Sequence, residues 1–93
     1  MVTLPIPADH PAFAGHFPGH PIVPGVVLLD LAQAAIEAEQ GLQLGGLAMA
    51  KFLRPVGPAE VVALRHEVTP TGVRFSLHVG EHTVANGRFN LRP

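Results

Sequence analysis

The eleven residues "GHFPGHPIVPG", Gly15 to Gly25, constrain this chain more than any other stretch. Three prolines and three glycines fall within them. Each proline fixes φ, removes a backbone donor and pushes the preceding residue towards extended conformations. No helix or long strand can run through such a segment. It is still not a flexible linker, because Phe13, Phe17, Ile22 and Val23 anchor it with apolar side chains. The expectation is a stiff, shaped loop delivering the chain into the element that begins after Pro24.

That element is a helix. Val26 to Gln40 predicts about four turns, with Pro24 near the start and Gly41 just past the end. Leu28, Leu31, Ala32, Ala35 and Ala38 form the expected apolar face. Asp30, Gln33, Glu37 and Gln40 fall on one narrow polar stripe.

The rest reads as strand. Val2–Pro7 is a short candidate edge strand, limited by its prolines. Leu47–Arg54 is an apolar run stopped by "RPVGP". Val61–Thr69 places Val62, Leu64 and Val68 opposite Arg65 and Glu67. In "VRFSLHV", Val73, Phe75, Leu77 and Val79 alternate with Arg74, Ser76 and His78. "PTG" and "GEH" have hairpin length. Thr83–Leu91 closes the series, with Ala85, Gly87, Phe89 and Leu91 expected on one face. The order predicts an edge strand, a shaped loop, one helix and four antiparallel strands in a meander. One helix cannot cover both faces of such a sheet, so the sheet should curl around it. That α+β plan is the hot-dog architecture, and residues 1–93 make a single domain of it.

Composition excludes several classes. With no Cys, disulfides and thiolate metal sites are ruled out. The six Lys and Arg residues are scattered singly and the net charge is −1, which gives no footprint for nucleic acid. The longest apolar run is interrupted by Asp30 and is too short to span a bilayer. The N-terminal residues lack a basic, apolar leader, so a soluble cytoplasmic protein is expected. A hydrophobic fraction of 47% against 14% charged is high for 93 residues. It predicts apolar surface covered by a second copy.

Three residues carry candidate chemistry. His16 is either a surface-loop histidine or a positioned proton-transfer group, held by its Pro/Gly flanks and desolvated by Phe17. Asp30 either opens a solvated stripe or faces a cleft or subunit interface. In the second case desolvation would favour its protonated form and suit it to general-acid work. Gly25 is either an ordinary helix start or the first free N–H donor of the helix, with no side chain to block an approaching carbonyl. The spacings of His10, His16 and His20 fit a metal site poorly, and no metal is expected. No nucleophile elbow, P-loop or dinucleotide fingerprint is present.

On these residues a resemblance can be stated. "GHFPGHPIVPGVVLLDLAQ", Gly15 to Gln33, resembles the motif of the 3-hydroxyacyl-[acyl-carrier-protein] dehydratases: G-H-F-P-x-x-P, two apolar residues, P-G-V, an acid in the helix, then A-x-Q. "KFLRPVGPAE", Lys51 to Glu60, resembles their K-F-x-x-P-V-x-P-G-D turn, with Ala59-Glu60 in place of Gly-Asp. The resemblance implies a hot-dog dimer, or a higher homo-oligomer, with shared active sites. His16 would be the catalytic base and Asp30 of the other subunit the catalytic acid. The Gly25 N–H would bind the thioester carbonyl, and Phe13, Phe17 and Val26 would line the acyl site. It implies no cofactor beyond the phosphopantetheine carried by the substrate, and acyl carrier protein as partner. Lys51, Arg54 and Arg88 are candidate docking cations. Asp rather than Glu at the acid position resembles the isomerising branch and a branch linked to aryl polyenes and related specialised lipids. "IPADHPAFAGHFPGHP" resembles the latter more closely. Two other readings remain open: a hot-dog acyl thioesterase, and a non-catalytic acyl-thioester-binding subunit.

Overall fold

The computed structural model describes residues 2–4, 6, 22–57 and 60–92. Its elements in chain order are β1 (Val2–Thr3), α1 (Gly25–Gln40), β2 (Leu44–Phe52), β3 (Ala63–Val68), β4 (Gly72–Val79) and β5 (His82–Leu91). The strands form one antiparallel sheet in the order β1-β3-β4-β5-β2. This is the hot-dog plan of one helix on one face of a five-stranded sheet.

The helix boundaries obey the punctuation in the sequence. Pro24 is extended, with φ −57° and ψ 142°, and its carbonyl accepts from the N–H groups of Val27 (3.0 Å) and Leu28 (3.3 Å). At the other end Gly41 adopts the left-handed conformation, φ 63°, and its N–H donates to the Glu37 carbonyl. A side chain would be strained there, so glycine ends the helix at that point. The buried face of α1 is Leu28, Ala32 and Ile36, flanked by half-buried Leu31 and Ala35. The expected face is therefore displaced: Ile36 belongs to the core and Ala38 is exposed. Alanines on several sides of the helix blur its polarity, and the bulky Ile36 decides the matter.

Leu28, Ala32 and Ile36 join one core with Leu64, Val73, Phe75, Leu77, Val84 and Phe89. The Phe75 and Phe89 rings stack at its centre, 4.9 Å between centroids. The expected alternation holds in β4, where Val73, Phe75 and Leu77 are buried. It fails in β5, where both Val84 and Ala85 are buried. The β4–β5 register slips between Leu77 and His78, which pair with Ala85 and Thr83. Val84 is the extra residue of that bulge, so the strict period of two is broken there. Val68, expected inside, is 45% exposed at the end of β3.

The expected four-strand meander is corrected. β3, β4 and β5 do form one, but β2 pairs with β5 at the far edge and not with β3. The segment after β2 is too long and too proline-rich for a hairpin. It folds back instead, with Leu53 N–H donating to the Val84 carbonyl at 2.8 Å and Val56 accepting from Val23 N–H at 2.7 Å.

Candidate active site

The Val23–Val56 hydrogen bond joins the two sequence motifs. It ties the residues before the helix to the "FLRPV" segment after β2. Together they line an apolar cavity of about 480 Å³, walled by Val23, Gly25, Leu28, Phe52, Leu53 and Val56. Arg54 is the one charged side chain in its lining among the described residues.

Gly25 sits at the start of the helix and on the wall of this cavity. No backbone acceptor among the described residues serves its N–H, as expected for the first turn of a helix. A Cβ at this position would lie 2.7 Å from Cζ of Phe52. Only glycine lets the ring pass so close, which leaves the N–H in an apolar hollow. There, a donor reinforced by the helix dipole polarises an oxygen more strongly than it does in water.

Asp30 lies elsewhere. It is exposed, five residues beyond Gly25 and turned away from the cavity, which it does not line. Val26, 64% exposed, lies one turn earlier on the same outer line of the helix. The expected polar stripe is divided. Glu37 accepts the Leu44 N–H at 2.9 Å, fastening the end of the helix to the start of β2. The Gln40 side-chain nitrogen is 2.9 Å from Nε2 of His66, which lies on the inner face opposite Phe75. Of the four, Gln33 is half-buried, and Asp30 is left exposed with no side-chain partner among the described residues. His16, Phe13 and Phe17 lie outside the described residues.

The candidate docking cations are separated by the sheet. Arg54 borders the cavity. Lys51 pairs with Asn86, and Arg88 with Arg74, on the opposite face. Phe52, Leu53 and Val56, which wall the cavity, have no role assigned from sequence. The signal is available in "KFLRPV", but its meaning depends on a contact with residues about thirty positions away.

Among the described residues, one helix, one antiparallel sheet and a cavity at the glycine-led end of the helix define a hot-dog protein. Within that class the chain belongs to the ApeI-like family, described as ApeI dehydratase, whose sequence profile matches residues 1–88. It is 44% identical over 70 aligned positions to 3-hydroxyacyl-[acyl-carrier-protein] dehydratase FabZ of Thermus thermophilus, covering 64% of this chain and 49% of that one. It is 37% identical over 99 positions to the FabZ of Chlamydia trachomatis, covering 89% of this chain and 65% of that one. The chain thus spans about half to just under two thirds of the length of these relatives. In fold it is similar to an uncharacterized protein of Erwinia carotovora subsp. atroseptica, with TM-score 0.79 and 27% identity over 98% of this chain and 80% of that one. It is also similar to a chain of the dehydratase heterocomplex ApeI:P of Xenorhabdus doucetiae, with TM-score 0.82, 23% identity and coverage of 98% and 84%.

Proposed function

We propose that this chain dehydrates 3-hydroxyacyl thioesters carried on acyl carrier protein, giving trans-2-enoyl thioesters in fatty-acid or related lipid and polyene biosynthesis. The observation that carries this reading is the Gly25 N–H at the helix start, set in the wall of an apolar cavity. A thioester carbonyl hydrogen-bonded there gains acidity at C2 as negative charge develops on its oxygen. His16 takes the C2 proton as general base. The C3–O bond breaks, and the hydroxyl leaves as water with a proton supplied by Asp30 of a second copy. No electrons are transferred, so the reaction requires no redox cofactor, and the phosphopantetheine arm belongs to the substrate. Arg54, at the cavity's edge, is the cation of this chain best situated to meet an acidic carrier protein.

Two features support a homodimer with shared sites. Among the described residues β2 is an edge strand that pairs with β5 alone, and its outer N–H and C=O groups can pair with another strand. Leu47 (43%) and Phe52 (47%) in it, and Leu53 (47%) just after it, are exposed. A second copy meeting this edge would cover them. It would also supply a carboxylate, which the described lining of one chain's cavity does not contain. A pairing with a different chain is the second reading, since one structural relative is a heterocomplex. The test is to incubate the protein with a 3-hydroxyacyl carrier protein and track the loss of one water by mass spectrometry. Dehydration abolished by His16→Ala supports the proposal. No dehydration, or release of the free acid instead, overturns it.

A further inference from the structure

The slip in register beside His78 sets a hydroxyl at each nitrogen of its ring. Ser76 and His78 alternate with the buried Phe75 and Leu77, so both lie on the face of β4 opposite the helix. Ser76 Oγ is 2.7 Å from Nε2 of His78. Across the ring, Thr83 Oγ1 is 3.3 Å from Nδ1. The β4–β5 bulge produces this second contact. Leu77 pairs with Ala85, so an unbroken register would set Val84 across from His78. Valine has no polar group to offer a ring nitrogen. The bulge buries Val84 in the core and brings Thr83 across from His78 instead. Re-aiming a side chain is a recurrent use of such bulges. Ser76, His78 and Thr83 are all half-buried. None of them lines the cavity at Gly25, from which the sheet separates them.

The neighbours of Ser76 add donors. Arg65 on β3 and Asn86 on β5 pair directly with it from either side. The Cβ atoms of residues so paired are about 5 Å apart. Both side chains can therefore bring N–H groups to an oxygen held over the serine hydroxyl. Ser76 also lines a surface depression of about 280 Å³ with Arg65, Glu67 and Arg74. Glu67 and Arg74 bond each other at 3.0 Å. That leaves Arg65 as the cation of this lining with no ion-pair partner among the described residues.

We propose that Ser76 is a nucleophile, with His78 as its base, and that the pair cleaves short acyl esters on the outer face of the sheet. With the ring proton on Nδ1 and directed at Thr83, Nε2 is free to take the Ser76 proton. Ser76 Oγ attacks the ester carbonyl carbon as that proton moves to Nε2. The oxyanion that forms meets the donors of Arg65 and Asn86. The bond from the carbonyl carbon to the leaving alcohol breaks, and the alcohol departs with the proton from Nε2. Water then attacks the acyl-serine, giving a proton to Nε2. The carboxylic acid leaves as Ser76 recovers that proton. Thr83 touches the ring alone and is a positioning residue. The depression is smaller than the roughly 300–1,000 Å³ of sites for drug-sized ligands, which suits a short acyl group. This centre does not rest on the dehydratase reading, because it uses other residues and needs no carrier protein.

The test treats the full chain with p-nitrophenyl acetate and, separately, with an alkyl fluorophosphonate. The second reagent forms a stable P–O bond to an activated serine and releases fluoride. Turnover of the ester is expected, with one phosphonyl group per chain, located at Ser76 by peptide mass spectrometry. Ser76→Ala should abolish both, and His78→Gln should slow both by roughly a hundredfold. Thr83→Val should slow turnover by roughly tenfold, and Thr83→Ser, which keeps the hydroxyl, should restore it. Circular dichroism of each variant checks that it is folded. A folded wild-type chain that takes no phosphonyl group, or takes it at another residue, overturns the proposal. So does ester cleavage at an unchanged rate in Ser76→Ala, or labelling at an unchanged rate in His78→Gln.

Discussion

Phe52 lies over Gly25 so closely that its ring occupies the place a side chain would take, with Cζ 2.7 Å from the position of a Cβ. This contact joins the helix start to the end of β2 and shapes the mouth of the apolar cavity. It makes Gly25 a residue whose missing side chain matters for access rather than for backbone conformation.

Gly25→Ala should therefore separate activity from stability. Phe52 is 47% exposed and can swing aside, and alanine is the better helix former. Stability should change by less than about 1 kcal/mol, measured by urea denaturation. Dehydration should fall by roughly a hundredfold, because methyl and displaced ring obstruct the oxygen's approach to the N–H. An unimpaired rate would remove Gly25 from the site.

Gly87 is the opposite case. A Cβ there would collide with the Met49 carbonyl oxygen and lie 2.8 Å from the Phe75 ring. A backbone carbonyl in a paired strand cannot swing aside as a side chain can. Gly87→Ala should cost about 1–3 kcal/mol. At Gly46, in the neighbouring strand, nothing lies within 4 Å of the added methyl. Gly46→Ala should cost less than about 0.5 kcal/mol. Thermal melts of the two variants make the comparison.

The Glu37 carboxylate holds the Leu44 N–H at 2.9 Å. Glu37→Ala should cost about 1–2 kcal/mol and speed hydrogen exchange at the Leu44 amide. Glu37→Gln keeps an acceptor oxygen and should retain most of that protection.

Much of the fold is legible in the sequence, because local rules govern it. Pro24 and Gly41 bracket the helix, and the alternation in "VRFSLHV" orients β4 without ambiguity. The illegible parts depend on contacts between distant residues. The place of β2 beside β5 is set by how the "RPVGP" segment folds back on Val23 and Val84. The burial of both Val84 and Ala85 comes from a bulge that a period of two cannot register. The cavity at Gly25 needs Phe52 and Val56, which no spacing ties to the helix start. Asp30 is legible as an acid on the helix, but among the described residues no side chain of the same chain partners it.

Asp30→Asn should accordingly leave the stability of the single chain within about 0.5 kcal/mol, since the side chain is exposed. Its dehydration rate should fall by roughly a hundredfold or more, because the amide cannot donate the proton that the leaving hydroxyl needs. Denaturation midpoints and initial rates of water loss check the two halves of this statement.

A site built from two copies, with His16 and Gly25 from one and Asp30 from the other, has a direct test in subunit mixing. His16→Ala protein and Asp30→Asn protein, each inactive alone, are combined under conditions that allow subunits to exchange. Half of the dimers should be hybrids with one intact site in two, so activity should return to roughly a quarter of wild type. No recovery, with exchange verified by native mass spectrometry, would contradict the shared site and place both residues in the service of a single chain.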